Sequence, residues 1–368
     1  MDLPAELAEL IIDQCHHIPT VASCSLVCKA WHTRARFRLF SAPVTVVGVR
    51  DLEAFMATLQ HPLCTIHAYI RLLAIRQSSA EPSSLNHVIP VLVRLSNLTH
   101  FELVAENVLL TAECRALFRS NFMSLRHLLL RMTFPTCADA VDLVCSFPLL
   151  ESLHLQARWI GSSPPPALSL PVHLHSLDLD GFMDECIRWL LLCPPKGTIS
   201  SLRLREVVEK ELGVVFEYIR FVAATLEDLK LSMDARAESE PSTVPWNNFQ
   251  LLLIAGFFLQ HVNFDPIHFP ELKTLEITGR NSNDVAMIAH FLSRIQASQI
   301  EQISFTSLVS VNPARLAWVH LSQLLSSHPY PRLRRITITT LPHLQPAIVH
   351  QLRRLPYVLD FVFPEGIR

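Results

Sequence analysis

From residue 44 onward the chain repeats one arrangement: an apolar residue, two others, an apolar residue, one other, an apolar residue. It runs through Val44-Val47-Val49, Ile70-Leu73-Ile75, Leu98-Phe101-Leu103, Leu125-Leu128-Leu130, Leu150-Leu153-Leu155, Leu174-Leu177-Leu179, Ile199-Leu202-Leu204 and Leu226-Leu229-Leu231. It resumes at Leu272-Leu275-Ile277, Ile300-Ile303-Phe305 and Leu333-Ile336-Ile338. The first eight matches start 24 to 28 residues apart, the last two steps are 28 and 33, and 46 residues separate Leu226 from Leu272. Leu259-Val262-Phe264 is an irregular unit within that interval. A single match in so apolar a chain means little; the spacing carries the argument. A period in the twenties predicts a solenoid whose unit cannot bury its own apolar face and stacks on its neighbours.

Between the triplets the period becomes helical. "DVAMIAHFLSRIQAS" places Val285, Ile288, Leu292 and Ile295 on one face, and "LEAFMATLQHP" does so with Leu52, Phe55, Met56 and Leu59. "DECIRWLLLCPP" and "LAWVHLSQLLSSHP" both stop at proline. One strand and one helix per unit predict an α/β solenoid with a parallel sheet, and this resembles a leucine-rich repeat horseshoe. The Asn or Cys of that consensus is missing: its positions hold Glu106, Thr133, Arg158, Phe182 and Val207. The expectation is therefore an irregular array over 41–368, closed by a last strand in "YVLDFVFPEGIR". Residues 77–84, 161–166 and 234–245 read as exposed loops.

The first 40 residues follow another pattern. Pro4 stands where a helix tolerates proline, with Asp2 upstream as a cap. Leu7, Leu10, Ile11 and Ile12 then form an apolar side, with Glu6, Glu9 and Asp13 facing out. A second helix, capped by Thr20 or Ser23, is expected through Val21, Cys24, Val27, Cys28 and Trp31. A short third element, "TRARFRLF", follows. So few residues bury too little surface to be robust alone, so the unit needs a partner or a neighbouring domain to complete its core.

"LPAELAELI" followed by "SLVCKAWH" resembles an F-box. Leu3, Pro4, Glu6, Leu7, Ile11, Val27, Cys28, Lys29 and Trp31 stand at matching positions, while Cys15 replaces the usual Leu and Thr20 the frequent Asp. The resemblance covers residues 1–40. It implies a module that packs on the Skp adaptor of a cullin-based ubiquitin ligase, while the repeat domain holds a protein substrate. Leu3, Pro4, Leu7, Ile11 and Val27 would be the anchors at that interface. Trp31 would touch the adaptor or pin the module to the first repeats. The alternative is a scaffold unrelated to ubiquitin, whose N-terminal helices only cap the solenoid.

Composition adds exclusions. Lys plus Arg is 31 against 33 for Asp plus Glu, a net charge of −2, which gives no reason to expect nucleic acid as partner. The longest apolar run, "LLLIAGFFL", is too short to span a bilayer, and no signal peptide is visible. Nine scattered cysteines fit a reducing compartment, cytoplasmic or nuclear. Eight glycines, none two apart, leave no dinucleotide fingerprint or phosphate loop, and His-Glu-x-x-His and Gly-x-Ser-x-Gly are absent. Cys15, His16, His17, Cys24, Cys28 and His32 invite a zinc reading, but Cys24 and Cys28 occupy core positions of the helical pattern. No cofactor, metal or catalytic residue is expected. Basic groups at 332–335 and 351–354 read as a solvated edge or as a patch for an acidic partner.

Overall fold

The computed structural model describes residues 4–77, 85–105, 108–161, 163, 167–181, 183–192, 198–208, 211–233, 266–279, 288, 291–307, 321–326, 330–340, 345–353 and 355–363. It forms two compact units, residues 1–174 and 175–368. The irregular triplet Leu259-Val262-Phe264, the consensus positions Glu106 and Phe182, and almost all of the three expected loops lie outside the described residues.

The first unit opens with three helices, α1 (Ala5–Gln14), α2 (Ile18–Cys24) and α3 (Lys29–Ser41). Strands β1 (Val44–Val47), β2 (Leu72–Gln77), β3 (His100–Ala105), β4 (His127–Thr136) and β5 (Ser152–Gly161) follow. Between them lie α4 (Gly48–Gln60), α5 (Leu85–Leu92), α6 (Ala112–Asn121) and α7 (Cys137–Cys145). Each strand pairs with the next in parallel. The pattern residues meet in register: Leu73, Phe101, Leu128 and Leu153 form one row, and Ile75, Leu103, Leu130 and Leu155 the next. All eight are buried, because the period of two puts them on the face that the helices cover.

The strand register shifts the first triplet by three residues. Val44 pairs with Leu73 and Val46 with Ile75, so Val44 and Val46, rather than Val47 and Val49, take the pattern positions. Val47 is exposed. "VTVVGV" is apolar at too many places for spacing alone to choose between the two faces. Gly48, at φ +79°, lets β1 pass into α4 with no intervening loop.

The second unit contains β6 (Ser176–Asp180), β7 (Ser201–Val207), β8 (Asp228–Met233), β9 (Ile267–His268), β10 (Thr274–Gly279), β11 (Ile295–Gln296), β12 (Gln302–Ser307), β13 (Arg335–Thr339) and β14 (Val358–Val362). Its described helices include α8 (Met183–Leu192) and α9 (Leu212–Val222). Here β6, β7, β8, β10, β12, β13 and β14 pair in that order, all parallel. The 46-residue interval therefore adds no strand to this ladder: Leu229 lies directly beside Leu275. β9 and β11 pair with each other instead. Ile288, Leu292 and Ile295 are buried as expected, but Ile295 has left the helix and begins β11. Val285 lies outside the described residues. The expected last strand is β14, parallel to β13.

This is an α/β, solenoid-like architecture of stacked parallel strands. At Thr133 and Arg158, two positions of the missing Asn, β4 and β5 continue in register to the pair Thr136 and Gly161. No side-chain amide is available there to turn the chain, and the strands stay paired.

Candidate protein-docking surface

The N-terminal helices keep a small core of their own. Ile12 from α1, Val21 and Cys24 from α2, and Ala35 from α3 are buried together, with Cys15, Trp31 and Leu39 packed against them. Ala8 is the other buried residue of α1, one turn before Ile12. Asp13 does not face out as the helical period suggests. It accepts hydrogen bonds from Arg34 through both carboxylate oxygens, Nε to Oδ1 at 2.8 Å, while Arg38 reaches its backbone oxygen at 3.1 Å. The Arg34 guanidinium holds the Asp13 carboxyl below the usual carboxylate range, against the opposing effect of burial. A bidentate pair fixes the crossing of α1 on α3 more tightly than a point charge would.

The expected second helix is in fact two. α2 ends at Cys24, Ser25–Val27 form a turn, and Cys28 caps α3. Pro19 occupies the first turn of α2, where its missing N–H costs nothing. Pro4 likewise precedes the first turn, as the N-cap of α1. Because the helix breaks after Cys24, Cys24 does not continue one helix face with Cys28 and His32. Burial, with help from the neighbouring Cys15, pushes the Cys24 thiol up, away from the thiolate that zinc needs. Among the described residues, no group of three or more His, Cys, Asp or Glu side chains is arranged to hold a metal.

The proposed anchors therefore face solvent. Leu7 is 49% exposed, Ile11 46% and Val27 63%. Leu10, Ile18 and Leu26, which the motif does not single out, are more exposed than Leu7, Leu26 reaching 86%. Pro4 is exposed and Leu3 lies outside the described residues. Trp31 is half-buried against the module's core, so much of its surface serves an internal role. Leu26 lies within "SLVCKAWH" without being singled out, and its place in the break between α2 and α3 turns it outward. A set of six large aliphatic side chains this exposed, on α1, α2 and the turn after α2, is unusual for a surface that faces water alone.

At the other end of the module Phe37 sits between two guanidinium groups, Arg34 at 5.2 Å and Arg71 at 5.3 Å from its ring centroid. Arg71 lies just before β2, so α3 contacts the strand-bearing part of its unit through this stack.

The outward sheet face of the first unit carries polar chemistry. His100 and His127 are register neighbours with rings stacked at 4.0 Å. Arg76 grips Glu102 with Nε at 2.6 Å from Oε1 and a second nitrogen at 3.2 Å from Oε2. Arg126 pairs with Glu151. His154 lies on the same face, two residues beyond Ser152. In the second unit Asp178 takes both ends of Arg205, and Lys230 meets Glu276 at 2.9 Å.

No protein-family model matches the chain, and no curated protein matches it. Among solved structures the chain is similar to a Bacteroides fragilis protein at 11% identity and a TM-score of 0.39. That match covers 86% of this chain and 73% of the other. A likeness at this level carries no argument about function. No described helix is long and apolar enough to cross a membrane.

Proposed function

We propose that the protein is the substrate-recognition subunit of a Skp–cullin–F-box type ubiquitin ligase. In this reading residues 1–40 are an F-box that docks on the Skp adaptor, and through it on a cullin. Residues 41–368 are an irregular leucine-rich-repeat array that holds a protein substrate. The function needs no catalytic residue in this chain. One observation carries the reading: Leu7, Ile11 and Val27 stay exposed while the same helices close a separate core around Ile12. A pure cap would turn its large aliphatic residues onto the array, and burying each would contribute about 1.5–3 kcal/mol.

The cap reading has its own support in Phe37, which α3 presents to Arg71. The two roles belong to different helices. α3 fastens the module to the strands, and α1 with the turn after α2 offers the anchors. Co-purification of the full chain with a Skp adaptor tests this. Leu7→Asp and Ile11→Asp should each weaken the complex by about a hundredfold or more, since each loses apolar burial and places a carboxylate in an apolar contact. Circular dichroism should stay unchanged, because neither side chain supports the module's core. Retention of the complex in both variants would refute the docking role.

A further inference from the structure

The N-terminal helices hold three of the chain's nine cysteines, and two of them meet. Cys15 caps the end of α1, and Cys24 is the last residue of α2. Cys24 belongs to the buried cluster around Ile12, and Cys15 packs against that cluster from its edge. The Cys15 thiol donates to the Ile11 backbone oxygen at 3.3 Å, which leaves its sulfur lone pairs to accept. The Cys24 thiol lies in hydrogen-bonding contact with that sulfur. Cys28, the third cysteine, is exposed at the N-cap of α3, beyond the break after α2. The fold thus selects one pair of thiols out of three. Both stand at helix ends, where the backbone has room to adjust to the geometry of a bond between them.

We propose that Cys15 and Cys24 are a redox pair that closes to a disulfide, latching α1 to α2, when a small disulfide such as oxidised glutathione is present. The inference rests on the docking reading of the module and names a regulation of that site. Cys15 is the point of entry, since it is half-buried and Cys24 is buried. Burial, with Cys15 adding to it, pushes the Cys24 thiol up, so Cys24 is not the first to attack. Cys15 gives up its proton and its sulfur attacks one sulfur of the glutathione disulfide. That S–S bond breaks, and one glutathione leaves and takes up a proton. Cys24 then loses its proton and attacks the Cys15 sulfur, and the second glutathione leaves as a thiol. Two cysteine thiols are oxidised to one disulfide, and one glutathione disulfide is reduced to two thiols. In a reducing compartment such pairs are transient sensors and not permanent staples. The bond acts on the surface, because the exposed Leu7 and Ile11 stand on α1 while Leu26 and Val27 stand on the turn that follows Cys24. Joining the two helix ends fixes the two halves of the docking surface relative to each other before a partner arrives.

The test treats the full chain with oxidised glutathione, blocks the remaining thiols with iodoacetamide and maps the tryptic peptide 1–29, which carries all three cysteines. That peptide should be lighter by two hydrogens and carry a single alkyl group, on Cys28. Cys28→Ser should keep the bond, and Cys24→Ser should stop at a glutathione adduct on Cys15. In urea the chain should lose this preference and pair Cys28 as readily. The oxidised chain should release a bound Skp adaptor about threefold or more slowly than the reduced chain, and Cys15→Ser should abolish the difference. The proposal is overturned if Cys28 pairs in the native chain as often as in urea, if the unaltered chain stops at the adduct, or if both redox states release the adaptor equally fast. A reduced chain that does not bind the adaptor counts against the docking reading instead, since the pairing is read from mass alone.

Discussion

The His100 and His127 rings stack at 4.0 Å on neighbouring strands. Burial first, and then His127, push the His100 imidazole below its usual range, and Glu151 only partly opposes this. The native state thus favours neutral His100. Its contribution to stability is present above the ordinary value of 6.5 and is lost as the pH falls below that toward the depressed value. Thermal denaturation should show a native chain that loses stability as the pH falls below 6.5, and a His100→Gln variant with a shallower loss. Equal slopes would mean that the stack is electrostatically silent. Asp13 acts in a different window. Its lowered carboxyl stabilises the module above the ordinary 3.8 and fails only as the pH drops through still lower values. A mildly acidic titration therefore reads His100 and not the Asp13–Arg34 pair.

At the scale of elements, the module and the strand units have separate weak points. Ile12 is fully buried at the crossing of α1 on α2 and α3, so Ile12→Ala should cost about 3 kcal/mol. Hydrogen exchange should show amides of α1–α3 losing protection while those of β2–β5 keep theirs. In the strand units Phe118 of α6 packs on Phe101 of β3 at 5.5 Å and on Phe122 at 5.1 Å. Phe118→Ala should cost about 3–5 kcal/mol in chemical denaturation, and a change under 1 kcal/mol would contradict this packing. The triplets from Ile70 to Ile338 were legible because a period of two, returning every strand, leaves one face to bury. Hidden within the same pattern is a further apolar residue three places earlier. Leu95, Phe122, Phe147 and Tyr330 are buried there, and each accepts the N–H of the triplet's first residue. Its signal was lost among the helical positions that precede it. The outward turn of Asp13 was misread for another reason. Its partners Arg34 and Arg38 lie more than twenty residues away, and helical period alone cannot see a tertiary ion pair.

At the scale of the whole molecule, the N-terminal helices and the parallel strands solve the same problem in different ways. The strands complete their core by stacking unit on unit, in a ladder where even a 46-residue interval leaves β8 beside β10. The helices close a core of a few residues and leave Leu7, Ile11, Leu26 and Val27 facing water. The resemblance to an F-box marked three of these four as anchors. It could not separate docking from capping, because that depends on which side of α1 turns toward α3. The measurement that tests the docking claim most directly is co-expression of a Skp adaptor with the full chain and with residues 42–368. The account predicts that the full chain retains the adaptor, while the truncated chain stays soluble without it. A full chain that does not bind, together with a truncation that aggregates, would make the helices a cap and contradict the adaptor role.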